Sequence, residues 1–186
     1  FFISPKRQRE LSGKARTIFE QVRSGSGPAL QASLSRVGPV NLRGTVEKVL
    51  DLMTDPTVGD DIHVAIQRGI ENAAKVGDTT LQRVLQNSEL AQGLTAHEGH
   101  QILTTLRQAP ETYQALRLAR AATPTAGGQF VQRASQVGLD LLKVADEAKS
   151  TLQKVPGYTK SIEQFAKVQE SGRQLAPLFK ERSLAR

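Results

Sequence analysis

Cysteine is absent from the 186 residues. That excludes disulfide staples, thiolate zinc sites and thiol nucleophiles, and it leaves the cell compartment open, because many secreted proteins also do without cysteine. Tryptophan is absent too, and the aromatic residues come to 4%. The apolar content is mostly Leu, Val, Ala and Ile, which suits helix seams that pack ridges into grooves better than layered sheets. No apolar run approaches the roughly 20 residues of a membrane-spanning helix. The opening Phe1-Phe2-Ile3 is too short for a signal-peptide core, so a soluble product is expected. A first residue of Phe in place of Met is expected of a processed or truncated piece, or of a chain whose start has been left out.

What is present is helical periodicity, in a chain long enough for one domain with a small subdomain. Ser4-Pro5 reads as a cap followed by a first-turn proline. Leu11, Ala15, Ile18, Phe19 and Val22 then form an apolar stripe, with Lys6, Arg7, Arg9, Lys14, Arg16 and Arg23 on the remaining surface. Residues 1–23 are therefore predicted to be a basic amphipathic arm. Ser24-Gly25-Ser26-Gly27-Pro28 bends at little cost, so 24–28 reads as a flexible linker.

Residues 29–122 are predicted to be a compact multi-helix region. A short helix with Leu30, Leu34 and Val37 ends at Gly38-Pro39, where proline cannot donate to the preceding turn. The next begins at an Asn41 cap and carries Leu42, Val46, Val49, Leu50 and Met53. Asp55-Pro56 looks like the cap and first residue of a third, with Ile62, Ile66, Ile70 and Ala73. Gly77 closes that helix and Asp78 caps a short one with Leu81, Leu85 and Leu90. Thr95 and Glu98 have the spacing of a capping box ahead of Ile102, Leu103 and Leu106. Ala109-Pro110 is expected to end that segment before another helix around Tyr113, Leu116 and Ala119.

Thr123-Pro124-Thr125-Ala126-Gly127-Gly128 reads as a second linker, and residues 129–186 as a long helical hairpin with a basic tail. Its first helix holds Phe130, Ala134, Val137, Leu141, Ala145, Ala148 and Leu152; Gly138 costs about 1 kcal/mol relative to alanine without breaking it. Pro156-Gly157 turns the chain, and Ile162, Phe165 and Ala166 continue it toward Pro177. The fold class expected is all-α: a bundle of short helices, a longer C-terminal helical hairpin and a basic N-terminal helix.

The net charge of +7 is uneven. Residues 1–50 carry nine Lys or Arg against three Glu, whereas 51–100 carry three against eight Asp or Glu. The start and the tail, with Lys180, Arg182 and Arg186, suit an anionic surface such as nucleic acid or lipid headgroups. A basic helix face is more often simply solvated, and the aromatics that stack on single-stranded bases are not interleaved here. The acidic middle also suits docking of the basic helix of a second copy.

The one constellation with chemical flavour is His97-Glu98-Gly99-His100. Imidazoles three apart share a helix face and suit a shared metal ion, with Asp60, Asp61 or His63 as further ligands. The zinc-peptidase pattern, however, places its histidines four apart, and Glu98 is already accounted for by the capping box. Gly127-Gly128 lacks the strand and lysine of a phosphate-cradling loop, and no strand-to-helix elbow for a serine nucleophile appears. Asp60-Asp61 and Asp146-Glu147 are adjacent pairs, which diverge by about 100° on a helix.

No catalytic residue, cofactor or metal is expected from these patterns. The function expected is that of a non-enzymatic structural or interaction protein, a helical subunit or fragment of a larger assembly; the composition fits bacterial or viral assembly components, internal virion proteins included. Its partners would be other proteins or further copies of itself, with an anionic surface as a further option. Docking is assigned to Arg7, Arg9, Lys14 and Arg16 for charge, and to Leu11, Ile18, Phe19 and Val22 for anchoring. A nucleic-acid-binding module and a metal-dependent hydrolase at His97 and His100 are the alternatives.

Overall fold

The computed structural model describes residues 27–120 and 127–180, with side chains at 27–111, 113, 136–168 and 170. Among the described residues the chain is helices, turns and one isolated β-bridge, an all-α multi-helix fold as the periodicity predicts. Helix α1 spans 27–34. It is followed by α2 (Arg43–Thr54), α3 (Gly59–Ala74), α4 (Thr80–Gln86), a 3-10 turn (Ser88–Gln92), α5 (Ala96–Arg120), α6 (Gly127–Gln153) and α7 (Tyr158–Lys180). The helices group into two compact units. One is Val37–Pro156; the other holds the described residues 27–36 and 157–180.

The helix starts follow from local chemistry. Asn41 Oδ1 accepts the Arg43 N–H at 3.0 Å, and Asp78 Oδ1 accepts that of Thr80 at 2.9 Å, so each satisfies an orphan donor of the helix it precedes. Asp55 does the same for the turn into α3, accepting from the amide and hydroxyl of Thr57 and from the Val58 amide. These contacts hold its carboxyl below the usual range, the Thr57 hydroxyl contributing most. Gly77 and Gly157 take φ of +82° and +88°, a left-handed conformation that suits glycine at a helix exit.

Val37–Pro156 is built around α5, which packs against α6 on one side and α3 on the other, while α2 lies against α3, α6 and the 3-10 turn. Ile62, Ile66, Ile102, Leu106, Leu141 and Leu152 are fully buried at these contacts. The stripes predicted for α2 and α3 are the faces that turn inward, although Leu50, Met53 and Ala73 reach only their half-buried margins. The bridge seals the N-terminal end of α5: the Val40 and Leu94 amides and carbonyls pair at 2.8 and 3.2 Å, and the Leu42 N–H reaches the Ala91 carbonyl at 2.8 Å.

Three sequence expectations are corrected. Ala109-Pro110 does not end a helix, because α5 runs through it to Arg120. Proline removes one backbone bond there and costs about 3 kcal/mol in a helix interior. Ala109, Pro110 and Tyr113 are all buried, so packing holds the helix through the defect. Second, Leu90 does not share a buried stripe with Leu81: α4 stops at Gln86, Asn87 caps the 3-10 turn, and Leu90 is 45% exposed while Val84 and Ala91 take the core positions. Third, the last helix passes Pro177 and ends at Lys180. The predicted arm over 1–23 and residues 123–126 of the second linker lie outside the described residues, while Gly127 and Gly128 of that linker open α6. Of the first linker, Gly27 and Pro28 open α1.

Candidate functional site

The eight residues expected to bind a partner, Arg7, Arg9, Leu11, Lys14, Arg16, Ile18, Phe19 and Val22, lie outside the described residues, as do Arg182 and Arg186. Lys180 is the last residue of α7. The one predicted constellation within view is the histidine pair.

Its scaffold is the start of α5. Thr95 and Glu98 form the expected capping box: Glu98 Oε2 accepts the Thr95 amide at 2.8 Å, and the Thr95 hydroxyl accepts the Glu98 amide at 3.2 Å. Arg83 from α4 donates to the other carboxylate oxygen at 2.5 Å. Burial by itself would push the Glu98 carboxyl up; the Thr95 amide, the Arg83 hydrogen bond, the Thr95 hydroxyl and the Arg83 charge together hold it below its ordinary range. Thr95→Ala is expected to lower stability by about 1 kcal/mol in a denaturant titration, and Thr95→Ser to restore most of it.

His97 and His100 follow on the first turns, both half-buried, with the buried Gly99 between them facing Val40, Leu42 and Leu152. The Nδ1 of His97 is buried and finds no hydrogen-bond partner. Burial, then the neighbouring His97 and Arg107, hold the His100 imidazole below its ordinary pKa. As pH falls through about 6.5, histidine in the unfolded chain takes up its proton before His100 does in the fold. Unfolding is then favoured, so the stability tied to His100 is complete above that pH and declines below it. A melting temperature that drops between neutral and mildly acidic pH, with a flatter profile in His100→Gln, is the expected result. Glu98 and Asp55, with lowered pKa values, add their own loss only in the carboxylate range below that.

The arrangement does not extend to a metal centre. Among the described residues no group of three His, Asp or Glu is gathered to hold an ion, and Asp60, Asp61 and His63 on α3 bring no third ligand to His97 and His100. The helix start that bears the pair is capped, and burial favours the neutral form of His100.

The acidic middle is also largely engaged within the unit. Glu71 pairs with Arg68 at 2.7 Å, Glu89 with Arg43 at 2.8 Å and Glu98 with Arg83, while Asp55 and Asp78 serve as caps. These are exposed or half-exposed pairs, each contributing well under about 1 kcal/mol. Sequence reasoning missed two exposed leucines on α6, Leu139 at 55% and Leu142 at 44%. The signal was there, since both fall off the stripe formed by Val137, Leu141, Ala145, Ala148 and Leu152.

The fold and this site define a class and no more: an all-α bundle whose α5 starts in a capped turn bearing two histidines. No protein-family model, curated protein or solved structure matches the chain. No helix among the described residues is long and apolar enough to cross a membrane.

Proposed function

We propose that the chain is a non-enzymatic structural and interaction protein, a helical subunit or fragment of a larger macromolecular assembly, which docks onto further copies through its basic N-terminal segment. The observation that carries this reading is how charge is distributed along the sequence. Within Val37–Pro156 most acidic side chains of the middle region are engaged by nearby arginines or helix ends. Residues 1–23 carry Lys6, Arg7, Arg9, Lys14, Arg16 and Arg23 against Glu10 and Glu20, together with a stripe of Leu11, Ala15, Ile18, Phe19 and Val22. A segment that concentrates one sign of charge beside an apolar stripe has the chemistry of a docking element, because charge steers the encounter and apolar area holds it.

Light scattering at low and high salt on the full chain, and on a chain beginning at Pro28, tests the proposal. The full chain is expected to exceed its monomer mass at low salt and the shortened one to stay monomeric. Monomers in both cases at every salt concentration would contradict it.

A further inference from the structure

We draw no further inference here: the strongest candidate, the apolar patch that Leu139 and Leu142 leave exposed on the outer face of α6, carries nothing because nothing in the structure shows what covers it.

Discussion

Gly59→Ala is expected to destabilise the protein by about 3 kcal/mol, a large share of the roughly 5–15 kcal/mol that holds a domain of this size. A β-carbon at Gly59 would lie 2.6 Å from the Met53 carbonyl oxygen and 3.1 Å from its carbon. Both atoms belong to the backbone of the last turn of α2, so no side-chain rotation relieves the clash. The helices must part at the turn where Asp55 joins them. Gly44, within α2, has nothing within 4 Å of the same position. Gly44→Ala should therefore gain up to about 1 kcal/mol from helix propensity. Guanidinium titrations followed by circular dichroism compare the two, and equal midpoints would show that the approach at Gly59 is not tight.

Leu141→Ala is expected to cost about 3 kcal/mol, whereas Leu139→Ala two residues away should stay within about 0.5 kcal/mol of the parent. Leu141 is fully buried on the face of α6 that meets α5, and its removal leaves a cavity that the surrounding helices fill only in part. Leu139 is 55% exposed on the other side of the same helix. Melting temperatures of the pair read the orientation of α6 directly. A larger loss for Leu139→Ala would mean that the helix presents the opposite face to the core.

The elements legible in the sequence were those fixed by neighbours in the chain. Asn41, Asp55, Asp78 and the Thr95–Glu98 box each act across two or three residues, so composition at a helix start announces them. The stripes of α2, α3 and α6 were legible for the same reason, since one face of a helix repeats within a turn. What stayed hidden depends on pairs distant in sequence. The Val40–Leu94 bridge joins residues that share no local pattern. Gly69 gives no sign in sequence that a β-carbon on it would sit 3.3 Å from Ala109 and Thr105 across the α3–α5 crossing. Pro110 misled because a local rule was overridden by burial on either side of it. The histidine pair was legible as two residues on one helix face, but the buried Nδ1 of His97 and the depressed pKa of His100 come from packing. The exposed leucines of α6 required the converse reasoning, attention to apolar residues that no stripe explains.

The proposed docking role comes down to four charges, Arg7, Arg9, Lys14 and Arg16. Sedimentation velocity at low salt on the unaltered chain, and on a variant with all four changed to Glu, measures their part most directly. The account predicts a species heavier than the monomer for the unaltered chain, which dissociates as salt is raised, and a monomer for the variant at every salt concentration. Identical sedimentation of the two proteins would contradict it.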